Sequence, residues 1–125
     1  SIACPKSYEP NKKILQWAKK NGGSIFVTKN PLEASEAADC VMTDKWISMG
    51  DKINKNKKKK ALKNYQVNKK IMKSANRDAI FMHCLPATRG EEVGNDVMDG
   101  KQSVVWLEAL NRIHAQKSII EWCLK

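Results

Sequence analysis

Apolar residues in this chain come in short runs between polar connections marked by proline, glycine or asparagine, and the runs alternate between strand and helix spacing. Ser1-Ile2-Ala3-Cys4 reads as the end of a strand, and residues 5–10 as the connection into a helix over about 11–20. That helix carries Ile14, Leu15, Trp17 and Ala18 along one face, with Pro10 suited to its first turn and Asn21-Gly22-Gly23 supplying the left-handed stop. Residues 24–28 form the next strand. Asn30-Pro31-Leu32-Glu33 combines a cap, a proline at the first turn and a carboxylate three residues on, predicting a short helix through Ala38. Cys40-Val41-Met42 is then a short buried strand, a helix spans about 65–74, and Ala79-Ile80-Phe81-Met82 is a further buried strand. The remainder predicts a helical turn at 96–98, a short strand at 102–106 and an amphipathic helix over 108–124, striped by Ala109, Ile113, Ile120 and Leu124.

Strand and helix in alternation predict an α/β fold: a parallel sheet flanked by helices and joined by right-handed crossovers, one domain over residues 1–125. Open sheets of this kind place ligands at the carboxyl ends of their strands. Two loops qualify here. One is residues 43–50; the other begins at His83-Cys84-Leu85-Pro86, where proline lacks a ladder donor and turns the chain out of the sheet. The carbonyls of Cys84 and Leu85 are then free to face a ligand. His83-Cys84 by itself fits equally a satisfied histidine and an inert buried cysteine.

Charge changes this picture little. The formal net charge is +10, and much of it is local: residues 52–63 hold seven lysines with only Ile53, Ala61 and Leu62 as apolar company. The run has no arginine and no interleaved aromatic residue, so it reads as a solvated helix or loop and not as a nucleic-acid surface. The four cysteines, Cys4, Cys40, Cys84 and Cys123, form no CxxC pair, and His83 and His114 add no ligand spacing; no metal and no disulfide framework is expected. A reducing compartment suits them, cytoplasmic or the mitochondrial matrix. No stretch approaches the roughly 18 apolar residues of a membrane span, so a soluble chain without membrane partners is expected. The first residue is Ser, so a leader or upstream domain would lie outside this sequence.

Three strings carry a sharper signal: Thr43-Asp44-Lys45-Trp46-Ile47-Ser48-Met49-Gly50, then His-Cys-Leu-Pro-Ala-x-Arg-Gly-Glu-Glu-Val from His83, then Asn111-Arg112-x-His114-Ala115-Gln116-Lys117. In that order and spacing they resemble the ornithine carbamoyltransferases, over the whole chain but over only the latter, ornithine-binding part of that family's polypeptide. The resemblance implies a Rossmann-like half of a carbamoyltransferase, incomplete at its N-terminal side. It also implies transfer of the carbamoyl group of carbamoyl phosphate to the side-chain amine of L-ornithine, giving L-citrulline and phosphate. No cofactor is implied, and the assembly would be a homotrimer.

By the same resemblance Asp44, Ser48 and the backbone of Met49 would hold the amino acid. Asp44 and Cys84 would lie near the attacking nitrogen, with Cys84 a proton acceptor or amine-orienting group if its surroundings favour thiolate. Carbonyls of Cys84 and Leu85 would accept hydrogen bonds from the carbamoyl amide, with Arg112 and His83 near the carbamoyl group. Taken singly, Asp44 also fits a capping residue, Arg112 a surface arginine, and Trp46 and Met49 packing residues. Leu107 and Leu110 stand where family members usually carry acidic residues. The family's phosphate-binding Ser-Thr-Arg-Thr motif is not in this sequence, so the chain by itself is expected to be inactive. Alternatives are a carbamoyltransferase for acetylornithine or putrescine, a truncated inactive relative, and a basic nucleic-acid-binding module.

Overall fold

Four of the helices begin at an asparagine. In the computed structural model, which describes residues 1–48, 50 and 54–125, the side chains of Asn11, Asn30, Asn54 and Asn68 each accept a hydrogen bond from a backbone N–H two residues on. These caps satisfy donors that the first helical turn leaves unpaired. The elements are β1 (Ile2–Ala3), α1 (Lys12–Lys20), β2 (Val27–Thr28), α2 (Pro31–Ser35), β3 (Cys40–Thr43), α3 (Lys55–Leu62), α4 (Lys69–Ser74), β4 (Ile80–His83), α5 (Asn95–Met98) and α6 (Val105–Cys123). Met49 and the start of the lysine run lie outside the described residues.

The strands form two parallel pairs, β1 with β2 and β3 with β4. Between the pairs lies a cavity of about 240 Å³, lined by Ser1 and Ala3 on one side and by Cys40, Val41, Met42 and Thr43 on the other. Ile2 and Cys4 donate their N–H groups to the carbonyls of Phe26 and Thr28, which ties β1 to β2. A core of Val41, Val67, Ile71, Met72, Phe81, Val93, Val97, Met98 and Val105 fills the space between the β3–β4 pair, α4, α5 and the first turn of α6. Leu85 and Ala87 pack against it, which anchors the loop after β4.

Several element boundaries differ from the sequence expectation for identifiable reasons. The helix expected from residue 65 starts at Lys69, because Asn68 caps it and Val67 instead donates its N–H to the Glu92 carbonyl at 2.9 Å. The helix expected to run through Ala38 stops at Ser35, and Ala37 sits at φ 51. The strand expected at 102–106 shrinks to a single bridge between Phe81 and Ser103, since Val104 already accepts the first helical hydrogen bond, from Glu108. The apolar stripe of α6 is not buried: beyond Val105, exposure of its large apolar residues from Trp106 to Trp122 runs from 51% to 79%. Only the first turn of that helix reaches the core. No helix among the described residues is long and apolar enough to cross a membrane.

Candidate active site

Parallel pairing of β3 and β4 puts Thr43 opposite His83, so the chain leaves both strands at the same end of the sheet. The next residue on each strand is Asp44 and Cys84, and their side chains meet: Cys84 Sγ donates to Asp44 Oδ1 at 3.1 Å. Lys45 N also donates to that carboxylate, at 2.6 Å. The hydrogen bond to Asp44 pushes the Cys84 thiol above its ordinary pKa, with burial adding to the effect. Asp44 is held below the usual carboxylate range, chiefly by the same thiol. The neighbouring carboxylate thus favours the thiol over the thiolate that a proton-accepting Cys84 would need.

The sign of the linkage follows. The Asp44 carboxylate is an acceptor once pH exceeds its depressed value, and the thiol donates until pH passes its raised value, so the contact spans the whole neutral range. Asp44→Asn is expected to lower the Cys84 pKa and so to speed alkylation of Cys84 by iodoacetamide at pH 8, where a larger fraction would be thiolate. Peptide mapping by mass distinguishes Cys84 from the other exposed thiols, Cys40 and Cys123. An unchanged rate would show that the hydrogen bond does not govern the thiol.

Behind Cys84 the loop is fixed by buried polar groups. Leu85 lies at φ 52, a left-handed conformation that a branched residue takes only where its surroundings over-determine it. Its N–H donates to His83 Nδ1 at 2.9 Å, and the His83 N–H donates to Glu108 Oε2 at 3.0 Å. With Nδ1 accepting, the ring proton sits on Nε2, which lies 3.5 Å from Glu92 Oε1. His83 and Glu92 are both fully buried, and Glu92 Oε1 also accepts the Thr88 N–H. His83, expected beside the carbamoyl group, therefore has its ring turned into the protein.

Arg112 reaches the same place from α6. It lines an open cavity of about 560 Å³ together with Cys84, Leu85, Pro86, Ala87 and Trp106. Arg89, also in that lining, is committed to Asp99 through two hydrogen bonds of 2.5 and 2.8 Å, whereas Arg112 makes no ion pair among the described residues. Leu107 and Leu110 are more than half exposed. Ser48 borders a second cleft, of about 330 Å³, shared with Lys45, Ile47, Lys55, Lys59, Thr88 and Glu91. Trp46 is buried as a packing residue. Glu92 and Glu108 were not legible as site residues: a carboxylate in the loop after β4 and one at the first position of the helix expected over 108–124 are residue types that ordinarily face solvent.

The family profile described as the Asp/Orn binding domain of aspartate/ornithine carbamoyltransferase matches residues 1–123. The chain belongs to this family. It is 54% identical over 124 residues to the ornithine carbamoyltransferase of Rhodopseudomonas palustris, covering 99% of this chain and 40% of that protein. The ornithine carbamoyltransferase of Nitrobacter winogradskyi is 50% identical over 124 residues, again with 99% and 40% coverage. Among solved structures, ornithine carbamoyltransferase from Pyrococcus furiosus superposes with a TM-score of 0.84 at 45% identity, over 95% of this chain and 39% of that one. The anabolic enzyme from Campylobacter jejuni gives a TM-score of 0.88 at 36% identity, over 97% and 41%. The chain thus spans about 40% of the length of the curated relatives it matches. Its Rossmann-like fold is that of part of their polypeptide.

Proposed function

We propose that this chain supplies the ornithine-side wall of an ornithine carbamoyltransferase. The observation that carries the reading is the Asp44–Cys84 contact at the carboxyl ends of two adjacent parallel strands, beside a cavity that an uncommitted Arg112 enters. In the reaction the side-chain amine of L-ornithine attacks the carbonyl carbon of carbamoyl phosphate. The new N–C bond forms as the C–O bond to phosphate breaks; phosphate leaves with the electron pair and takes the amine proton.

Each residue has a part in that scheme. Asp44 and the Cys84 thiol orient the unprotonated amine, Cys84 acting as a hydrogen-bonded positioner because its thiol is stabilised in the protonated form. Carbonyls of Cys84 and Leu85 accept the carbamoyl N–H groups, and the left-handed Leu85 sets their direction. Arg112 stabilises charge on the carbonyl oxygen and leaving phosphate. His83 acts from behind, holding the loop through Leu85 and Glu92. Ser48 and Met49 grip the amino acid's ammonium and carboxylate, and the other part of the enzyme holds phosphate and covers the apolar surface of α6. A homotrimer is what the family resemblance implies, and a cytoplasmic or mitochondrial-matrix location is what the four free cysteines suit.

A chimera tests this directly: the 125 residues replace the matching segment of the R. palustris enzyme. Citrulline formation from ornithine and carbamoyl phosphate is expected, with acetylornithine and putrescine poor substitutes. A correctly folded chimera that carbamoylates neither ornithine nor the other two amines would refute the reading, and preference for another amine would reassign the substrate.

A further inference from the structure

Helix α3 is a poor helix on intrinsic grounds. Five of its eight residues are lysine, Lys55 and Lys59 stand one turn apart with like charge, and none of its residues is buried. What it does have is a long-range tie. Lys59 Nζ pairs with Glu91 Oε1 at 2.5 Å, with 43% and 29% of the two side chains exposed. Just beyond, Gln66 Nε2 donates to the carbonyls of Gly90 and Glu91, both at 2.8 Å, and Val67 exchanges backbone hydrogen bonds with Glu92 and Gly94. Glu91 is itself bonded to the Thr88 carbonyl through its N–H, and the neighbouring Glu92 holds Thr88 and faces His83. One end of this seam follows the Asp44–Ser48 loop; the other end follows Cys84. Both walls of the cleft that contains Ser48 meet at Lys59 and Glu91.

We propose that Lys59 is a positioning residue for carbamoyl transfer: its pairing with Glu91 latches helix α3 to the turn after Cys84, and so sets the width of the cleft that Ser48 shares with both. This rests on the function proposed above. Lys59 touches no reacting atom; it acts through the spacing of the two loops. The pair is half-exposed, so its effect is modest and falls on amino-acid binding.

In the chimera, Lys59→Met and Glu91→Gln are each expected to raise KM for ornithine about fivefold, the scale of a partly exposed ion pair, with kcat and KM for carbamoyl phosphate changed by less than about twofold. Lys59→Glu should be worse than Lys59→Met through repulsion from Glu91, and the swapped pair Lys59→Glu/Glu91→Lys should recover most of the loss. Equal increases in both KM values, or a swap that fails to rescue while thermal stability is normal, would overturn the latch. Should the parent chimera make no citrulline, the functional reading fails separately, and amide exchange decides the latch. Faster exchange at Thr88 and Glu91 in Lys59→Met, restored by the swap, supports it; unchanged exchange removes it.

Discussion

Arg112→Met in the chimera is expected to lower kcat by about two to three orders of magnitude, the usual cost of removing a preorganised group that stabilises developing charge. Charge develops on the carbonyl oxygen and on the departing phosphate as the amine attacks, and Arg112 lines the cavity beside Cys84 and Leu85 with no competing ion pair among the described residues. Methionine keeps the unbranched apolar stem of the side chain without its charge, so packing on α6 is preserved. Lysine should restore only part of the rate, since a point charge does not reproduce the planar guanidinium fork. Steady-state kinetics on all three proteins check this, and a kcat for Arg112→Met within about threefold of the parent would remove Arg112 from the chemistry.

Loss of Glu92 is expected to have the largest effect on stability. Its carboxylate is fully buried, accepts the Thr88 N–H and faces the His83 Nε2 proton. Glu92→Ala takes the acceptor from the Thr88 N–H and the facing carboxylate from His83 Nε2, and should cost about 2 kcal/mol, at one to three per stranded group. Glu92→Gln keeps the shape and one carbonyl oxygen, and should cost less than half as much. Urea unfolding of the chain followed by tryptophan fluorescence gives both values. A Glu92→Ala penalty below about 1 kcal/mol would mean that water or backbone movement satisfies the stranded groups, and that the loop after β4 is not held by this carboxylate.

The two effects share a cause in the loop from His83 to Glu92. Cys84 lines the cavity and meets Asp44, and one hydrogen bond between them shifts both pKa values in opposite directions. His83 and Glu92 face the core side. Adjacent residues His83 and Cys84 thus divide the work, because alternate residues at a strand end point to opposite faces. A histidine next to a cysteine in a motif suggests a catalytic partnership; here the imidazole is a structural neighbour of the loop.

What the sequence determined by itself was the alternation of strands and helices from β1 to β3 and again at α4, β4 and α5, the parallel α/β class, and the two loops at carboxyl ends. These follow from local causes: apolar runs bounded by proline and glycine, the asparagine cap and proline that open α2, the glycine that ends α1, and a proline that follows β4. The three family strings were legible for the same reason, as contiguous residues. Tertiary structure alone decided which side of the loop His83 occupies, that Glu92 is buried beneath it, that the thiol is stabilised against ionisation, and that Lys59 reaches Glu91. Each depends on a contact between residues far apart in the chain, or on a buried position that a charged residue type does not announce. The exposed stripe of α6 is the same lesson from the other side: periodicity shows that a helix has an apolar face, and only the surrounding structure shows whether anything lies against it.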